Sequence, residues 1–128
     1  MGNGTSIGKV RGLGSAHHGA HHWLLQRFTA VGNLVLSLWF VASLLLLGDL
    51  SHATVTGYLS QPVPATAMAL LIVSVFWHAR LGLQVVTEDY VHTPGNKFAV
   101  ITLLNLATLG GAAFGLFCVA RLALGGAA

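Results

Sequence analysis

Charge is what this sequence has least of. Only 7% of its 128 residues are Asp, Glu, Lys or Arg, against 55% hydrophobic. Soluble globular domains carry about 25% charged residues, and a chain this short leaves much of its surface exposed when it folds. Water is therefore the wrong solvent for so much apolar area, and the lipid bilayer takes its place. Cysteine is almost missing too. Cys118 stands alone within an apolar run, which excludes a disulfide framework or a zinc cluster within the chain. It also excludes the cysteine sets that hold iron–sulfur clusters. A single thiol in such a run reads as a small packed hydrophobe. No dinucleotide or phosphate fingerprint is present. The segment from Gly2 to Val10 superficially resembles a P-loop, but Asn3 stands where the first glycine belongs and Val10 replaces the magnesium-binding hydroxyl. The net charge is +3, yet the six Lys and Arg are scattered and come with no recognition motif, so no nucleic-acid partner is expected. A cleavable signal is not expected either, because the first apolar run begins only near Phe28 and is too long for an h-region.

What the sequence does have is three long apolar runs, at residues 28–50, 65–86 and 98–124. Each reaches the roughly 20 residues that a spanning helix needs, and a helix satisfies its own backbone groups inside lipid. Gln61-Pro62-Val63-Pro64 and Pro94-Gly95-Asn96 interrupt the runs, since proline lacks the amide proton and disfavours helix just before it. The connections are short, so the expected fold is all-α, with three transmembrane helices running up, down and up. Residues 1–22 then form a polar N-terminal segment and residues 23–128 the membrane domain. Lys9, Arg11 and Arg27 precede the first helix, Lys97 lies in the second connection, and residues 51–64 hold no Lys or Arg. This pattern puts the N-terminus and the 87–97 loop in the cytoplasm, with Arg121 as a contrary vote. Gly111-Ala112-Ala113-Phe114-Gly115 has the GxxxG spacing of close helix packing. Asn33 and Asn105 are expected to bridge helices. Trp23 and Tyr90 suit the interfacial belt.

The second run carries the chemistry. His78, Arg80 and Gln84 lie inside it, and ionisable groups at membrane depth are costly and mark functional paths. His78 is the only histidine within the three runs. A lone histidine in a soluble core is usually a packing residue; in lipid, an imidazole that ligates haem iron becomes a leading reading. Gly82, four residues on, shares its face and lets a flat macrocycle approach the backbone. Asp89 follows eleven residues after His78, close to three turns, on the same face and about 16 Å away. One histidine cannot fill both axial positions of a haem. Met68 lies about 15 Å from His78 along the same helix, so a second ligand has to come from another chain. His17, His18, His21 and His22 form an HHxxHH cluster. Its i, i+4 pairs suit zinc, but no acidic or cysteine ligand is near, and a polar interfacial segment is the commoner outcome.

The stretch from His78 to His92, with Gly82, Asp89 and Tyr90 inside it, resembles the D-type hydrophobic membrane anchor of succinate dehydrogenase (complex II). The stretch from His21 to Ala30 is similar to the same family's H-x5-R-x-T-A segment at the first helix. The likeness covers roughly residues 10–110 in topology. It implies one half of a two-subunit anchor bundle, a bacterial inner-membrane location, and a role in the respiratory chain and the tricarboxylic acid cycle. It implies further that His78 is an axial ligand of haem b, that His21 and Arg27 lie near the haem propionates, and that Tyr90 binds a ubiquinone carbonyl beside Asp89. The partners it implies are a C-type anchor subunit, an iron–sulfur subunit and a flavoprotein subunit that oxidises succinate. Arg80 departs from the family pattern. Snorkelling, a haem propionate and an acidic group on a neighbouring subunit all stay open for it. Two other readings also stay open: the anchor of a menaquinone-linked fumarate reductase, and a cofactor-free structural anchor or transporter component.

Overall fold

The computed structural model of the protein describes residues 19–125. His17, His18, Lys9, Arg11 and the Gly2–Val10 segment lie outside the described residues. Among the described residues four helices follow one another: α1 (Gly19–Leu46), α2 (His52–Leu59), α3 (Pro62–Tyr90) and α4 (Pro94–Ala123). Among them α1, α3 and α4 are long and apolar enough to cross a membrane. At 1.5 Å per residue each is about 42–45 Å long, longer than the roughly 30 Å hydrocarbon core.

The helix ends differ from the apolar runs, and each difference has a local cause. The first helix begins at Gly19, well before Phe28, because His21, His22, Gln26 and Arg27 are helical although they are polar. It stops at Leu46 rather than Leu50. Gly48 adopts φ +70°, the left-handed conformation that ends helices, so the apolar Leu47 and Leu50 fall outside. The prolines also sit differently from the expectation. Pro62 opens α3 and Pro94 opens α4, where a missing amide proton costs nothing and the fixed φ is already helical.

The connection at 51–64 contains the short helix α2, which hydropathy did not foretell. Ser51 is its N-cap and accepts the Thr54 N–H at 3.4 Å. Asp49 sits behind this cap. It accepts from the Ser51 hydroxyl at 2.6 Å, the Thr54 hydroxyl at 3.0 Å and the Ser51 N–H at 3.0 Å. These bonds, the Ser51 hydroxyl first, hold the Asp49 carboxyl below its ordinary value of 3.8. Tyr58 ties α2 to α1 by donating to Ser43 Oγ at 2.8 Å, and Ser43 in turn donates to the Trp39 carbonyl.

The third helix is the middle one. Helices α1 and α4 each make their main contacts with it. Most of the buried side chains accordingly belong to α3: Pro64, Ala65, Leu71, Leu81 and Thr87, with Thr29 added by α1. Between α3 and α4 the GxxxG glycines do what their spacing suggests. A Cβ on Gly111 would run into the Phe76 ring, and one on Gly115 would come within 3.0 Å of Ile72. Outward-facing residues such as Phe28, Leu45 and Phe114 are 70–79% exposed, as befits a surface solvated by lipid tails.

Candidate functional site

The seam between α1 and α3 is polar where both helices are otherwise apolar. His22, Gln26, Thr29 and Asn33 recur at i, i+4, i+7 and i+11, so they form one stripe within about 60° of the α1 circumference. Thr29 is the buried residue of α1. Its hydroxyl lies 2.8 Å from the Leu25 carbonyl, 3.2 Å from the Gln26 carbonyl and 3.0 Å from His78 Nδ1. Ser74, one turn before His78, donates to the Thr29 carbonyl at 3.3 Å. Gly32 makes room for that approach, since a Cβ there would lie 3.3 Å from Ser74 Oγ. His78 is thus held on one side by α1.

The other ring nitrogen is differently placed. His78 Nε2 has the Gln26 amide nitrogen at 3.5 Å, a long contact at the limit for a hydrogen bond. A Cβ on Gly82 would meet that same Gln26 amide nitrogen at 3.5 Å. One flexible side chain therefore lies over both the Nε2 atom and the glycine. Three more polar atoms along the stripe, His22 Nε2, Gln26 Oε1 and Asn33 Oδ1, are buried with no hydrogen-bond partner among the described residues. Buried polar atoms are normally satisfied, so this seam asks for further groups. Its donor set is one imidazole with Nδ1 held by Thr29 and Nε2 beside the Gln26 amide. A metal macrocycle would be held here through His78 Nε2, next to the flexible Gln26 side chain. The expected bridge by Asn33 does not form among the described residues.

The remaining expected site residues are spread along the same end of the bundle, where α1 begins, α3 ends and α4 begins. His21 and Arg27 are exposed and lie on opposite flanks of the α1 stripe. Arg27 stacks over Trp23 at 5.4 Å, and neither residue touches His78 or Gly82. At the end of α3, Asp89 is exposed and Tyr90 is 79% exposed, its phenol without a partner among the described residues. Nearby, Gln84 donates to Glu88 at 2.8 Å, and Lys97 Nζ donates to the Glu88 carbonyl at 3.1 Å.

Arg80 turns away from all of this. Its Nε donates to Asn105 Oδ1 on α4, and its guanidinium lies 5.9 Å from the Trp77 ring centre. Asn105 is thus the helix bridge expected of it. Both residues line a groove of about 450 Å³ between α3 and α4, with Phe76 and Leu109, on the side of α3 opposite His78.

The three-span topology and the His78–Gly82 seam set the terms for comparison with known proteins. Residues 1–112 match the family model described as succinate dehydrogenase/fumarate reductase transmembrane subunit. The chain belongs to that family. It is 36% identical over 105 residues to the succinate dehydrogenase hydrophobic membrane anchor subunit of Rickettsia bellii, covering 82% of this chain and 84% of that protein. It is 32% identical over 119 residues to the corresponding subunit of Paracoccus denitrificans, covering 91% and 89%. The succinate dehydrogenase membrane anchor subunit of Reclinomonas americana is 33% identical over 95 residues, covering 71% and 78%. This protein is therefore a multi-pass membrane anchor of succinate dehydrogenase, which works with other subunits of that complex.

Sequence reasoning missed Gln26, Thr29 and Ser74 as neighbours of His78. Their signal was available: a strip of polar residues at helical spacing on an otherwise apolar helix.

Proposed function

We propose that this subunit ligates haem b through His78 and contributes Tyr90 and Asp89 to the site where ubiquinone is reduced. The observation that carries the reading is the state of the His78 ring. Its Nδ1 is anchored by Thr29 at 3.0 Å, while the contact at Nε2 is the movable Gln26 amide, whose nitrogen lies 3.5 Å away and 3.5 Å from the Cβ position of Gly82. His78 would hold the haem together with a ligand from a second anchor subunit of C type. His21 and Arg27 on α1 serve the propionate carboxylates, for which a guanidinium is a bidentate partner. When bound, the haem takes up and returns single electrons. At the rim, the Tyr90 phenol donates to a quinone carbonyl, and Asp89 passes on the protons that quinone reduction consumes. An iron–sulfur subunit, fed by a succinate-oxidising flavoprotein subunit, delivers the electrons. The setting is the bacterial inner membrane with the N-terminus in the cytoplasm, supported by Lys97 and Arg27 at one end of the bundle.

The test is the reduced-minus-oxidised spectrum of the purified complex. His78→Leu is expected to abolish the low-spin b-type signal while the helices still assemble. An unchanged spectrum and electron paramagnetic resonance signal would overturn the assignment.

A further inference from the structure

We propose that Thr29 is a positioning residue which fixes the tautomer of His78, by accepting a hydrogen bond from Nδ1–H and leaving the lone pair on Nε2. The inference rests on the reading of His78 as a haem ligand and extends it to a residue that touches no cofactor. The argument is one of proton counting. A threonine hydroxyl has one proton and two lone pairs. In Thr29 the nearest acceptor is the Leu25 carbonyl at 2.8 Å, the i−4 bond that threonine commonly makes within a helix. With its proton committed there, Oγ1 has only lone pairs for His78 Nδ1 at 3.0 Å, so that nitrogen must bring the hydrogen. A neutral imidazole carries one N–H, and Nε2 is then the bare nitrogen. The opposite tautomer would aim an Nε2–H at the Gln26 amide nitrogen 3.5 Å away, donor against donor.

Two effects follow from the bond. The ring cannot rotate without giving up that bond in a buried seam, where Thr29 is only 9% exposed. The imidazole also becomes more electron-rich, because outer-sphere acceptors raise the basicity of a ligating histidine. An electron-rich ligand favours ferric over ferrous iron, so the bond holds the haem potential down.

The experiment uses the assembled complex with Thr29→Val, Thr29→Ala, Thr29→Ser and His78→Leu. The readouts are haem per complex, the haem midpoint potential and the low-spin resonance g values. Valine keeps the shape of threonine and removes the hydroxyl. It is expected to raise the potential, shift the g values and weaken haem retention about 10- to 100-fold. Alanine should act in the same direction, should valine fail to assemble, and serine should restore the wild-type values. If His78→Leu keeps the low-spin signal, the ligand assignment falls and this inference with it. If His78→Leu loses the signal but valine and alanine both keep the wild-type potential and g values, the ligand stands and the role of Thr29 is refuted. A Thr29 that only fills space would give that second result.

Discussion

Gln26 on α1 lies across His78 on α3, with its amide nitrogen 3.5 Å from Nε2 and the same distance from the point where Gly82 would carry a Cβ. The space that the glycine leaves is thus taken by a long, rotatable side chain rather than by a packed neighbour. A rigid residue there would close the approach to Nε2 for good.

Gly82 itself tests that idea. Gly82→Ala makes only an ordinary van der Waals contact with Gln26 and gains up to about 1 kcal/mol of helix propensity, so assembly should be unharmed. Gly82→Leu fills the approach. Haem content is expected to fall in the order Gly, Ala, Leu, measured by pyridine haemochrome per mole of assembled complex. Full haem content in Gly82→Leu would show that nothing flat enters there.

The α3–α4 seam yields a different expectation. In Asn105→Leu, Arg80 loses its acceptor within the membrane. Hydrogen bonds between membrane helices contribute about 0.6 kcal/mol on average and up to roughly 1.7 kcal/mol. Unfolding of the complex in mixed micelles should show a loss near the upper end, because the donor is charged. Adding Arg80→Leu should recover most of it, since no charge is then stranded. The haem spectrum should not change in either variant, because this seam faces away from His78.

Much of this architecture was legible in the sequence. Three apolar runs gave three spans, and Gly111 and Gly115 do pack against α3. His78 stood out because an imidazole among leucines and valines has no bland explanation in lipid. What stayed hidden depended on averages. A hydropathy window blurs His22, Gln26, Thr29 and Asn33 into their apolar neighbours, although their spacing makes one stripe. Helix α2 was masked by the absence of charge in its segment; only the Ser51-to-Thr54 spacing behind Asp49 marked its cap. Gly48 ended α1 early by backbone conformation, which apolarity cannot register.

That cap carries a pH dependence. The Asp49 carboxyl is held below its ordinary value of 3.8, chiefly by the Ser51 hydroxyl. A depressed carboxylate stabilises the folded cap above its unfolded value and loses that contribution as pH falls through the folded one. Amide protection of α2 should therefore be constant above about pH 4.5 and decline below 3.8. In Asp49→Asn the decline should vanish, with protection below that of the wild type at neutral pH and converging with it in acid. Equal protection in both proteins at neutral pH would show that the carboxylate does not hold the cap.

The sharpest division concerns Tyr90, whose phenol is 79% exposed at the last residue of α3. As a belt residue it needs only an amphipathic ring at the headgroup level, and Phe would keep most of that. As a quinone ligand it needs its O–H, because the ring alone cannot polarise a carbonyl. Tyr90→Phe separates the two roles without changing the fold, since no described residue bonds to the phenol. Losing a site-defining hydrogen bond costs about 1–3 kcal/mol, or roughly tenfold to a hundredfold in kcat/KM. The measurement is succinate–quinone reductase activity, divided by succinate oxidation with an artificial acceptor that bypasses the membrane site. The division removes any effect of assembly or of the flavoprotein subunit. A drop of that size, with the acceptor rate and haem spectrum intact, assigns the phenol to the quinone. A ratio at the wild-type value across quinone concentrations makes Tyr90 a belt residue, and the quinone donor must then be sought on the partner chains.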